Sequence, residues 1–322
     1  MLRRRQVLAA SALLAPATHG WARARTEFPT QPVKMVVPYS AGGATDVIAR
    51  ALAERLSAEW GQQVIVENRA GAGTTLAAAQ IARAAGDGYT LFMTTSAHTI
   101  AGSMYKSLPY DPVKDFSTLS LLAKVPLVLV TRPGLGATTL HEFRELAKSG
   151  KLTYASPGNG TAQHLTGDMF KVATGTKMTH VPYKGDAPAI TDLLAGVVDC
   201  MFATLTAVLP QIAAGKLTPI AIANGKRIKK VADIPTFAEA GMANFEAATW
   251  FGVLAPATLR PALRDSISRD IVRIVAQPAM RARLIDLGGE VVSLNSTDFE
   301  AFMQAELRKW KDIAAASGAT LD

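Results

Sequence analysis

A single cysteine stands among 322 residues, so no disulfide can form within the chain. Cys200 sits in the apolar, strand-like run 197–202, where a small buried hydrophobe is expected in place of a nucleophile. Beyond the first 24 residues no stretch is long and apolar enough for a membrane-spanning helix. The HExxH metal motif is missing, and no GKS or GKT follows the glycine-rich turns. Gly71-Ala72-Gly73 lacks the third glycine of a dinucleotide fingerprint, and Ser156 does not stand in a G-x-S-x-G elbow. These absences argue against a nucleotide-dependent enzyme, a zinc hydrolase and an α/β-hydrolase, and no cofactor or metal is implied.

Strong charge of one sign is also lacking. The formal net charge is +8, but residues 1–24 hold four arginines and no acid, so the remainder carries only +4. Charges of both signs are scattered along it, with no basic stripe for nucleic acid.

What is present is globular: 49% of the residues are apolar, and the length suits two domains, each with its own core. Arg3, Arg4 and Arg5 precede an apolar segment too short to span a bilayer, and Ala22-Arg23-Ala24 offers a small-x-small cleavage site. A cleaved export signal over residues 1–24, and hence a periplasmic location, is expected. Arg4-Arg5 leaves both the general secretory and the twin-arginine route open.

Short β runs alternate with helical periodicity. Strands are expected at 33–37, 63–66, 89–93, 125–131, 152–155, 180–183, 198–202, 219–223 and 251–255. Helices are expected at 45–60, 74–85, 139–148, 162–173, from 186, at 261–276 and 298–316. Ile48, Leu52 and Leu56 give the first helix its buried stripe; Thr139-x-x-Glu142 and Thr297-x-x-Glu300 read as capping boxes. The alternation occurs twice, which predicts an α/β fold of two lobes, each a mostly parallel sheet flanked by helices. In such sheets a ligand sits beyond the carboxyl ends of the strands.

That rule directs attention to the turns. Residues 38–46 (Pro-Tyr-Ser-Ala-Gly-Gly-Ala-Thr-Asp) and 156–161 (Ser-Pro-Gly-Asn-Gly-Thr) each follow a strand and open a helix. Glycines bring the backbone close to a ligand, and the unpaired N–H groups of the helix N-terminus favour an anion. Ser40, Thr45, Ser156 and Thr161 add hydroxyls. A third turn, 181–186, offers Tyr183 as a wall and Lys184 as a cation that equally suits plain solvent exposure, with Asp186 near a helix N-cap. His164 lies one helical turn before Asp168, but no further ligand stands at metal spacing; packing beside the cleft is the expected role. His98 and His180 read as isolated.

At this point the chain resembles the periplasmic solute-binding receptors of tripartite tricarboxylate transporters, the Bug or TctC-like family. The likeness runs from about residue 29 to 316. It rests on Val37-Pro38-Tyr39 through Gly42-Gly43 to Asp46, Val66-Glu67-Asn68-Arg69-Ala70-Gly71-Ala72-Gly73, Asp87-Gly88-Tyr89, Leu108-Pro109-Tyr110-Asp111-Pro112, Ser156-Pro157-Gly158-Asn159-Gly160, His180-Val181-Pro182-Tyr183-Lys184-Gly185, Ile234-Pro235-Thr236 and Trp250-Phe251-Gly252.

The resemblance implies a type II periplasmic binding protein fold, joined by crossover strands near 126–131 and 249–254. Lobe 1 would comprise residues 25–130 plus 249–322, and lobe 2 residues 131–248. It implies a carboxylate gripped between Ala41, Gly42, Gly43, Thr45 and Asp46 and the second lobe's Ser156, Asn159, Gly160, Thr161 and His164, with Tyr39, Tyr183 and Lys184 flanking. Relatives carry an acid or amide after the seventh strand, where this chain has Ala203 and Thr204. The expected ligand is therefore a dicarboxylate, hydroxy acid or aromatic acid, without an ammonium group. The expected function is capture of that acid by a monomer, without catalysis, for the transporter's membrane subunits. A sensor feeding a two-component system, an enzyme using His164 and Asp168, and the effector domain of a transcription regulator are the competing readings.

Overall fold

The computed structural model describes residues 28–317; the expected export signal and its cleavage site lie outside them. The chain folds as α/β, and among the described residues ten strands form two sheets that share one long strand.

In the first sheet, β1 (Val33–Val37) lies between β2 (Val64–Asn68) and β3 (Thr90–Thr95), all parallel. β9 (Ala248–Pro256) then runs antiparallel between β3 and β4 (Phe116–Thr131), and β10 (Glu290–Leu294) also pairs with β4. Val33, Met35 and Val37 point to one face and Val36 to the other, and all are buried. A sheet covered on both faces explains why Met35, Val36 and Val37 are consecutive apolar residues.

β4 continues into the second sheet. Its last residues, 127–131, pair with β7 (Cys200–Thr204) on one side and β8 (Thr218–Ile222) on the other. β5 (Thr153–Ser156) and β6 (Thr179–Pro182) extend the sheet parallel to β7. The chain returns to the first sheet at β9, and Leu127, Ala223 and Ala247 knit that return by backbone hydrogen bonds of 2.8–3.0 Å. Phe143, Tyr154, Phe170, Phe202, Phe237 and Phe245 form the second lobe's own core.

Helices cover both sheets. α1 (Ala44–Trp60) buries Ile48, Leu52 and Leu56 and ends on Gly61 in the left-handed region. α2 (Thr75–Ala82) follows one tight turn, and α3 (Ala97–Met104) follows β3. α4 (Leu140–Ala147) carries the expected capping box between Thr139 and Glu142. α5 (Ala162–Thr174) is capped by Thr161 and stopped by Gly175. α6 (Asp186–Leu194), α7 (Leu205–Ala213), α8 (Pro261–Ala276), α9 (Pro278–Asp286) and α10 (Ser296–Ser317) complete the set.

Four elements have no counterpart in the sequence expectations. α3 is buried almost all round, so it shows no amphipathic stripe, α7 carries Pro210 inside it, and α9 and β10 are short. One cap is corrected. Asn295, not Thr297, begins α10: its Oδ1 accepts from the Asp298 N–H at 3.0 Å. Ser268 Oγ and Thr118 Oγ1 hold the Ser296 backbone and so start the helix earlier. No described helix is long and apolar enough to cross a membrane.

Candidate functional site

The two glycine-rich turns lie at the junction of the sheets, the first against residues 184–187 and the second against Gly73. In the first, Gly42 adopts φ +86° and its N–H donates to Asp46 Oδ2 at 3.0 Å. Arg50 Nε donates to the same oxygen at 2.9 Å, and Asn68 Nδ2 to Oδ1 at 3.0 Å. Burial works to raise the Asp46 carboxyl, but these hydrogen bonds outweigh it and hold it below its usual range. Asp46 thus clasps its own turn. Thr45 is buried beside it, whereas Ala41 and Gly42 are exposed at the rim. Tyr39 is buried, its hydroxyl 3.1 Å from Thr95 Oγ1. Burial, aided by the charge of Asp186, drives its phenol far above the usual value despite the Thr95 contact.

In the second turn Ser156 Oγ accepts from the Gly158 N–H at 3.2 Å and lies 2.6 Å from His180 Nε2. Thr161 Oγ1 donates to the Gly158 carbonyl at 2.7 Å and caps the His164 N–H. The Gly160 N–H donates to His164 Nδ1 at 3.2 Å, which places the ring proton on Nε2, 3.3 Å from Asp168 Oδ2. Asp168 also accepts from Tyr154 and pairs with Lys171. His180 is not isolated: its ring stacks on His164 at 4.0 Å and on Tyr154 at 4.8 Å. Burial pushes His180 down to about 3, so it stays neutral. His98 packs among Phe92, Tyr110 and Phe116 with Nε2 donating to the Pro112 carbonyl. Ser156 is wholly buried, and no carboxylate orients the second nitrogen of His180 among the described residues. Ser156 and His180 therefore do not assemble a nucleophile–base–orienter set among the described residues. Nor do the described residues contain a group of three metal-ligating side chains.

Tyr183 is half-buried and donates to Asp192 Oδ2 at 2.7 Å; burial and that carboxylate push its phenol up to about 12. The Lys184 side chain is exposed, but its carbonyl accepts from the Ser40 N–H at 3.0 Å. Ala203 and Thr204 are fully buried at the end of β7, where Thr204 Oγ1 accepts from Gln163 Nε2 at 2.7 Å. Cys200 is buried in the same strand, which drives its thiol far above the usual value.

The lobes meet tightly here. A Cβ on Gly73 would stand 2.3 Å from the Asn159 carbonyl, and one on Gly185 2.3 Å from Ser40 Oγ. Asp186 Oδ2, from the second lobe, accepts from the Ala44 N–H at the N-terminus of α1, 3.1 Å away. Sequence reasoning placed Asp186 only near a helix N-cap and Gly73 only in an incomplete glycine motif: each acts through a partner far along the chain. Ser40 Oγ, Thr74 Oγ1 and Asp186 Oδ1 are buried along this junction without a hydrogen-bond partner.

Residues 48–319 match the family model of the tripartite tricarboxylate transporter family receptor. The chain belongs to that receptor family. The receptor is 35% identical to protein BugT of Bordetella pertussis over 91% of each chain. Its fold is that of two solved structures from Rhodopseudomonas palustris. One, Rpa4515 with adipate, has 33% identity and a TM-score of 0.88, covering 92% of the receptor and 100% of the other chain. The other, MatC with bound malate, has 32% identity and a TM-score of 0.84, covering 89% and 99%. The family is one of periplasmic solute-binding receptors, and the glycine-rich turns of this member lie at the junction of its two sheets.

Proposed function

We propose that the receptor is exported to the periplasm, closes on a small organic acid between its two turns, and passes it to the membrane subunits of a tripartite tricarboxylate-type transporter without chemical change. The observation that carries this reading is the apposition itself. The turn before α1 and its first N–H meet the turn after β6 in hydrogen-bonded contact, and Gly73 packs on Asn159 in the turn after β5, with three buried polar atoms along the seam still able to bond. An unpaired buried polar group is costly, so a polar ligand that satisfies these atoms stabilises the closed form selectively. β4 and the return at residues 245–248 serve as the hinge between a lobe of residues 25–130 plus 249–322 and one of 131–248. Adipate and malate on two relatives support a small acid as the ligand class.

A thermal-shift screen of the mature chain, refolded to remove carried ligand, tests the proposal. A specific acid at ~100 times its dissociation constant adds about 2.7 kcal/mol, or about 5–11 °C at this size. No shift with any small acid overturns it.

A further inference from the structure

Asp186 places a carboxylate where a ligand's carboxylate was expected. It is 5% exposed, begins α6, and reaches across the seam to the first free N–H of α1. One oxygen takes that N–H, and the other is buried without a partner. Gly43 is the reason it fits: a Cβ there would lie 3.1 Å from Asp186 Oδ2 and 3.2 Å from its Cβ.

Among the described residues no fixed cation answers this charge. Arg50 is held by Asp46, Arg69 by Glu67, and Lys171 by Asp168. The Lys184 side chain is exposed, and His164 faces Asp168 with its Nδ1 bonded to Gly160. The titratable neighbour coupled to Asp186 is the Tyr39 phenol, itself an acid. A buried carboxylate with one satisfied oxygen and no cation favours a positively charged donor. A second carboxylate at the same point meets repulsion instead.

This reasoning rests on the receptor reading above and names its substrate class. We propose that Asp186 is a specificity-determining residue that selects an organic acid carrying an ammonium group, which donates to Asp186 Oδ1 while the carboxylate of the same ligand binds elsewhere in the cleft. The missing acid at Ala203 and Thr204 is thus replaced from a different loop, and amino acids return to the ligand class. Burial raises the Asp186 carboxyl to about 6, so at neutral pH it is ionised and suited to that cation.

Matched acids differing in one substituent provide the test: L-aspartate, L-malate and succinate, and likewise L-glutamate, 2-hydroxyglutarate and glutarate. Calorimetry at pH 7.5 is expected to rank the ammonium-bearing member of a series tightest. Asp186→Asn, of the same shape, is expected to weaken that member by about 30- to 5,000-fold, the range for removing one partner of a buried charge pair. The variant's own melting transition shows that it is folded, and the wild-type ranking is informative without it. If the plain or hydroxylated diacids bind and the amino acids do not, the Asp186 assignment is overturned while the receptor reading stands. If no member of a wider acid panel binds, both are overturned.

Discussion

A methyl group at Gly73 tests whether closure of the lobes underlies binding. Gly73 has φ +57° and ψ +33°, and the atom nearest its absent Cβ is the carbonyl oxygen of Asn159, in the other lobe. The separation would be 2.3 Å against 3.4 Å for ordinary contact, so the seam must open by about 1.1 Å. Neither side gives cheaply, because the oxygen belongs to a backbone held by the Ser156, Thr161 and His164 hydrogen bonds. The left-handed backbone itself costs an alanine about 1–2 kcal/mol, a cost present whether the lobes are open or closed. The collision exists only when they are closed. If it raises the closed form by about 2–3 kcal/mol, affinity falls about 30- to 150-fold. Gly61→Ala is the control: its φ is +68° and nothing lies within 4 Å of the added carbon, so it shares the backbone cost without the collision. Calorimetry with the acid that most raises Tm should show near wild-type affinity for Gly61→Ala and the large loss for Gly73→Ala. Small-angle scattering should show that only Gly73→Ala fails to compact with ligand. Equal affinities for the two variants would refute the reasoning.

Two further outcomes are expected of the titratable groups. Asp186 has a folded value of about 6 against an ordinary 3.8, so the folded state holds its proton more tightly than the unfolded state does. Its contribution is therefore best below pH 4 and deteriorates as pH rises towards about 6, by about 3 kcal/mol in all. In urea unfolding from pH 4 to 7, wild-type stability relative to Asp186→Asn should fall across that window, and parallel curves would contradict the burial argument. Asp46 is held below its usual range, so its stabilisation is present above about pH 4 and lost as pH falls through its lower folded value. Asp46→Ala leaves the Gly42 N–H and the Asn68 amide without this acceptor and is expected to cost about 2–3 kcal/mol at pH 7, read as a lower urea midpoint.

Much of the architecture was legible from local chemistry. Alternating strands and helices, the glycine stop after α5 and the Thr139–Glu142 box each depend on residues within a few positions of one another, and each stands in the structure. The turns at 40–46 and 156–161 were legible for the same reason. Thr297-x-x-Glu300 was misleading because Asn295-x-x-Asp298 overlaps it, and the choice is made by Ser268 and Thr118 from distant parts of the chain. α3 was silent because a helix buried on every side has no polar face to reveal its period.

By itself the sequence determined the two-lobed α/β plan, the apolar cores and the two glycine-rich turns, since propensity, periodicity and capping act over a few residues. Only the tertiary structure decided what those turns do. It directed Asp46 inward to clasp its own turn, stacked His180 on His164, and set Gly73 against Asn159. It also carried Asp186 across 142 positions of chain to the N-terminus of α1. These contacts follow from how the strands pair and how the lobes close, and the electrostatics of a cleft belong to whichever charges that closure buries together.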